Sequence, residues 1–175
     1  MTTTPTRYSA TATMILALGL SAACGSDEPD AEPSNRGGGE STGQTSVRNV
    51  FIEPSYASDC TVQVDAPAQL SFTAINDSST EDETLSEIST PAASRVEIDA
   101  PPEALTLSPE SSIAAGQPVA NPDDADAPAQ SFSVWMVDLD PGVEPGQSVP
   151  VTFTFERAGE ITLPVSVDGC PTQSN

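Results

Sequence analysis

Apolar and polar residues alternate with a period of two through the C-terminal part of the chain. Val151, Phe153 and Phe155 fall on one side of a run whose other side carries Thr152 and Thr154. A turn at Arg157-Ala158-Gly159 follows, and then Ile161, Leu163, Val165 and Val167 share one side of a second run. Extended backbone sends successive side chains to opposite faces, so two such runs joined by a glycine-containing turn predict a β-hairpin. Pro164 falls on the polar side and has no N–H to give a neighbour, which predicts a sheet edge or a bulge there. Shorter β-branched runs at 47–52, 61–64, 70–76, 85–89, 95–99, 105–107 and 132–139 are separated by Pro, Gly, Asp and Ser clusters. No segment of helical length repeats its apolar residues every 3.6 positions. Many short strands between Pro/Gly turns predict an all-β fold over residues 46–175, a Greek-key β-sandwich or barrel. The acidic turn residues, Glu81-Asp82-Glu83 and Asp123-Asp124 among them, are expected on its loops.

The N-terminus follows a different pattern. An apolar run over residues 10–20 follows Arg7 and leads through Ser21-Ala22-Ala23 into Cys24, after which the chain turns abruptly polar at Gly25-Ser26-Asp27-Glu28. The run is much shorter than the ~20 residues of a membrane-spanning helix and has the layout of a secretory leader. Its end, Leu20-Ser21-Ala22-Ala23-Cys24, resembles the lipobox of bacterial lipoproteins. That resemblance implies cleavage after residue 23 and a diacylglycerol thioether on Cys24. An ordinary signal peptide cut near Ala23, leaving a free thiol, is the alternative. At least two acyl chains hold a protein stably to a bilayer, where one gives only marginal binding. Residues 24–45 contain no large apolar side chain and are expected to be a flexible acidic tether, spanning about 25 Å as a random coil.

Charge narrows the function classes. The chain carries 26 Asp and Glu against 5 Lys and Arg, all of them arginines, and a net charge of −21. Nucleic acid is excluded as a partner, because phosphate binding runs on basic side chains. With no histidine and no lysine, Ser-His-Asp and Cys-His catalysis, Schiff-base chemistry and histidine-ligated zinc are excluded as well. Repulsion from anionic head groups leaves an acyl anchor, rather than basic residues, to hold the protein at a membrane. Three cysteines less a lipidated Cys24 leave Cys60 and Cys170, which export would place in an oxidising compartment. They are expected to form a disulfide worth about 4.7 kcal/mol in the chain-entropy model. A redox-active thiol pair is the weaker reading, since there is no CxxC and no nearby base.

The C-terminal half also carries a family likeness. Residues 134–139 (VWMVDL), Pro141-Gly142 and the stretch 145–167 (PGQSVPVTFTFERAGEITLPVSV) resemble the ending of periplasmic copper chaperones of the PCuAC type. Residues 89–98 (STPAASRVEI) and Ile113-Ala114-Ala115-Gly116 are similar to two further segments of that family. The lipobox–tether–domain order is similar to its actinobacterial lipoprotein branch. The resemblance implies a cupredoxin-like, immunoglobulin-like β-sandwich and an extracytoplasmic location. Members of this family hold Cu(I) with two histidines and methionines, and the register of the resemblance puts Asp99 and Ser133 at the histidine positions and Trp135 at a methionine position. Met136, the one methionine outside the leader, falls at a core-type position.

No metal or other cofactor and no catalytic residue is therefore expected. The carboxylates of Asp123, Asp124 and Asp126 and of Asp138 and Asp140 could offer oxygens to Ca²⁺, but neither group follows an EF-hand pattern, and solvated loops are the simpler reading. A glycosidase carboxylate pair is disfavoured by the small domain and its few aromatics. Trp135 is expected in the core, with exposed recognition as its alternative. The expected protein is non-enzymatic. It is anchored through acyl chains on Cys24 at the outer face of the cell membrane, with a degenerate metal site and an envelope protein or small ligand as partner. The alternative is a metallochaperone that binds copper through Met136 and carboxylates.

Overall fold

The computed structural model describes residues 38–116 and 131–170. Ten strands follow one another: β1 (Gly38–Thr42), β2 (Thr45–Glu53), β3 (Ala68–Asn76), β4 (Glu83–Ser89), β5 (Ala93–Asp99), β6 (Thr106–Leu107), β7 (Ser111–Ala115), β8 (Ser131–Leu139), β9 (Ser148–Phe155) and β10 (Gly159–Val167). They pair in the order β5-β8-β7-β3-β2-β10-β9-β4-β6, with β1 added to β2 and β8 also meeting β3. Most pairs are antiparallel. The turn of the sheet into a second layer comes where β2 and β10 run parallel through Phe51–Ser166 and Ile52–Val167. The expected all-β sandwich is the observed architecture.

The core lies between the two layers. Phe72 of β3 meets Phe153 of β9 edge-on, with ring centroids 4.9 Å apart, and Phe132 of β8 packs on the other side of Phe72 at 6.0 Å. Leu70, Leu85, Met136, Ile161, Val165 and Val167 fill the space around them. Each such side chain withdrawn from water contributes about 1.5–3 kcal/mol, and this term holds the layers together. The predicted hairpin is β9–β10, in register from Gly159–Phe155 to Ser166–Ser148. Thr152 and Thr162 hydroxyls meet across its outer face at 2.8 Å. Pro164 sits opposite Pro150, so neither imino nitrogen interrupts the hairpin's own ladder. β10 is not an edge strand, but it joins β2 only at Ser166 and Val167, beyond the proline.

Two apolar pairs spaced three apart, Val47/Val50 and Leu85/Ile88, break the two-residue period, yet all four side chains are buried. A bulge resolves each case. The register between β2 and β3 shifts between Arg48 and Phe51, with Asn49 left-handed at φ 53, and that between β4 and β9 shifts between Leu85 and Glu87. One extra residue on a strand returns the next apolar side chain to the inner face.

Other expectations need correction. Residues 38–45, expected in the tether, form β1 and the start of β2, because Thr45 and Val47 have buried places to fill. Residues 61–64 make no strand; only Val62 bridges to Tyr56, and the surrounding turn closes on local bonds such as Ala57 N to Thr61 O at 2.9 Å. The run 105–107 is the end of a 3-10 turn, Pro102–Leu105, followed by the two-residue β6. Strand β7 was not anticipated, although Ile113, Ala114 and Ala115 are buried in it. Cys24 and the acids at 123, 124 and 126 lie outside the described residues.

Cys60 and Cys170 are joined by a disulfide, with Cα atoms 5.5 Å apart. Beside it the Tyr56 hydroxyl donates to the Asp168 carbonyl, so the 54–67 connection is tied twice to the end of the chain's last strand. At the opposite end, Glu83 is not on a loop but buried at the start of β4, 2% exposed. Its carboxylate accepts the backbone N–H groups of Thr84 (2.9 Å), Arg157 (3.0 Å) and Ala158 (2.9 Å) and the Thr45 hydroxyl (3.1 Å). Burial alone would raise its pKa, but these donors outweigh it and hold the carboxyl below its ordinary value. Glu83 thus locks the β9–β10 turn onto the starts of β2 and β4.

Candidate functional site

The positions singled out by the family likeness lie on one ladder. β5 and β8 are antiparallel and bring Asp99 opposite Ser133, Glu97 opposite Trp135 and Arg95 opposite Val137. Alternation sends Val96 and Ile98 toward the core and leaves Arg95, Glu97 and Asp99 exposed on the outer face. On β8 the same alternation buries Val134 and Met136 completely and turns Ser133, Trp135 and Val137 outward. Trp135 is therefore half-buried on the surface of the sheet, not in the core as expected. The parity of Val134 and Met136 decides this: they fill the interior, so the residue between them must face away. Its size and apolarity favoured burial in the sequence, and its odd spacing from Phe132, Val134 and Met136, which share one parity, was the signal pointing the other way.

Next to Trp135 on the side away from Glu97 is Gln69 of β3. The tryptophan is thus flanked across the strands by a carboxamide and a carboxylate. Arg95 donates from Nε to Glu97 at 2.7 Å and from Nη1 to Asp138 at 3.2 Å, all three side chains being more than half exposed. Asp99 makes no ion pair among the described residues. β7 closes the region by running parallel to β8 through Ala114–Ser131 and Ala115–Phe132. It ends at Gly116, whose φ of +62 and position leave no space for a side chain: a Cβ there would come 2.4 Å from Ser71 Oγ. Ser71 Oγ itself is buried without a hydrogen-bond partner among the described residues.

The inner face of β5 borders a second concavity, an open groove of about 460 Å³ against β4. Ile88, Val96 and Ile98 contribute apolar surface to it, and its charged lining is Glu87 and Arg95. Ser86, Ser89, Thr90 and Ser94 complete a lining that is as polar as it is apolar.

The donor chemistry at Asp99 and Ser133 is that of hard oxygens. Cuprous ion is suited by thiolate, thioether and imidazole. Here the thioether of Met136 is enclosed in the core, Cys60 and Cys170 are oxidised to a disulfide, and the sequence has no imidazole. These residues do not fit a soft-ligand copper site. Among the described residues, no three His, Cys, Asp or Glu side chains come together as a metal-holding group. No helix among them is long and apolar enough to cross a membrane.

The fold is similar to that of PCuAC domains. The chain superimposes on the copper-bound PCuAC domain from PmoF2 with a TM-score of 0.55 at 17% identity, covering 76% of this chain and 99% of that one. The apo PCuAC domain from PmoF1 gives 0.56 at 16% identity, covering 76% and 100%. None of the curated proteins matches it in sequence. The family is given by a model described as LpqE-like, a lipoprotein family, which matches residues 45–167. The chain belongs to that LpqE-like family.

Proposed function

We propose that the chain is a non-enzymatic lipoprotein, held at the outer face of the cell membrane by acyl chains on Cys24. Its PCuAC-like domain serves to bind a partner rather than to carry copper. The observation that carries this reading is the β5–β8 ladder. Where the resemblance places soft metal donors, the ladder presents Asp99, Ser133 and an outward Trp135, while Met136 faces the core. Membership of a lipoprotein family supports export and anchoring. The segment between Cys24 and β1 then acts as a spacer, with β1 at the edge of the domain.

Calorimetric titration of the full chain with Cu(I) and with Cu(II) tests the main claim. The expected result is no one-to-one binding tighter than about 1 μM for either ion, that is, less than about 8 kcal/mol of binding free energy. Tight stoichiometric uptake would make the protein a metal carrier. Anchoring is tested separately by Cys24→Ala, which should release the protein from the membrane fraction.

A further inference from the structure

We infer that the outer face of β5 and β8 is a docking surface for a polybasic segment of a partner protein, with Trp135 as its platform. This rests on the partner-binding reading above and names the chemistry of the partner. Three features of the face point to a cation. Trp135 is turned outward and half-buried, so one part of the indole is packed and the rest is open to contact. Glu97 stands directly across from it, Asp99 is two residues along on the same side of β5, and Asp138 lies in the opposite direction, beside Arg95. Among the described residues, Arg95 is the one basic residue on this face; it spans Glu97 and Asp138, so three described carboxylates share one described guanidinium, and Asp99 is not one of its partners.

An arginine or lysine laid over the indole within about 6 Å of the ring centre gains cation–π attraction, and cross-strand neighbours at roughly 5 Å place a carboxylate beside it. The Gln69 carboxamide on the other flank can accept a further N–H. The whole chain reinforces the choice. At a net charge of −21 its field draws basic partners and repels acidic ones, which raises the encounter rate with the former. An acidic or purely apolar partner would have to desolvate Asp99 without neutralising it.

Trp135 is the only tryptophan in the chain, so its emission reports on this face alone. The full chain in detergent is titrated at fixed physiological ionic strength with a hexa-arginine peptide and, separately, with a hexa-glutamate peptide. A saturable change in Trp135 emission is expected with the first and none with the second. The double variant Asp99→Asn with Glu97→Gln is expected to weaken hexa-arginine binding at least about fivefold. Trp135→Phe, followed by calorimetry, is expected to weaken it about two- to fivefold. The control is Glu144→Gln with Glu160→Gln, two exposed acids on the β8–β9 turn and on β10 whose loss removes the same charge elsewhere. It should leave binding unchanged. Equal weakening by both double variants would mean general attraction to an acidic protein and would overturn the inference. So would calorimetric binding with unchanged Trp135 emission, or no saturable binding. The copper titration is independent, so this inference can fail while the absence of copper binding stands.

Discussion

Glu83 and Asp99 carry the same functional group at strand ends in the two layers, under opposite conditions. Glu83 is 2% exposed and held by four donors from β2, β4 and the β9–β10 turn. Asp99 lies exposed on the outer face of β5 with a serine across from it and, among the described residues, no ion pair. The first carboxylate is part of the scaffold; the second is free to meet something else. Burial and donor supply, rather than residue type or acidic neighbours, divide the many acids of this chain between these duties.

The largest effect should come from removing the buried member. Glu83→Ala takes the acceptor from three part-buried backbone N–H groups and one buried hydroxyl, and a loss of about 2–3 kcal/mol is expected from urea unfolding at neutral pH. A loss under about 1 kcal/mol would dissolve the contrast. Acid should show the same division more gently. Because the folded pKa of Glu83 lies below its unfolded value of about 4.5, its stabilisation is complete above that value. It fades as the pH falls through the folded pKa. The gap in melting temperature between the parent and Glu83→Gln should therefore be constant from pH 7 to about 5.5 and narrow progressively below pH 4.5. Measuring the gap cancels the change in overall charge repulsion that protonating the other acids brings. The smallest effect is expected at the exposed member: Asp99→Asn should move stability by no more than about 0.5 kcal/mol in the same urea experiment, whatever it does to partner binding.

Much of this architecture was legible in the sequence. The β9–β10 hairpin follows from an unbroken alternation over two runs, and the Cys60–Cys170 link from having two cysteines left in an exported chain. The runs 47–52 and 85–89 were legible as strands from their β-branched and apolar content, but not the bulges in them: only the register shifts against β3 and β9 show how Val47/Val50 and Leu85/Ile88 all turn inward. β7 is too short and too rich in alanine to announce itself, yet it fits between β3 and β8 because Gly116 lets the backbone come close to Ser71. Glu83 was hidden in an acidic triplet. Its one sequence clue was that it shares parity with Leu85, which a charged residue makes easy to discount.

At the candidate site the division is similar. The family likeness placed Asp99, Ser133 and Trp135 in register, and the ladder sets Asp99 and Ser133 face to face. Composition alone excluded imidazole and amine chemistry, since a side chain that is absent can donate nothing. Alternation and export accounted for the hairpin and the disulfide. Which face of β8 looks outward, which acids are buried and where a strand must bulge were decided only by the tertiary structure. Those outcomes depend on which partner strand lies alongside and how much interior space must be filled, and neither is a property of any local stretch of chain.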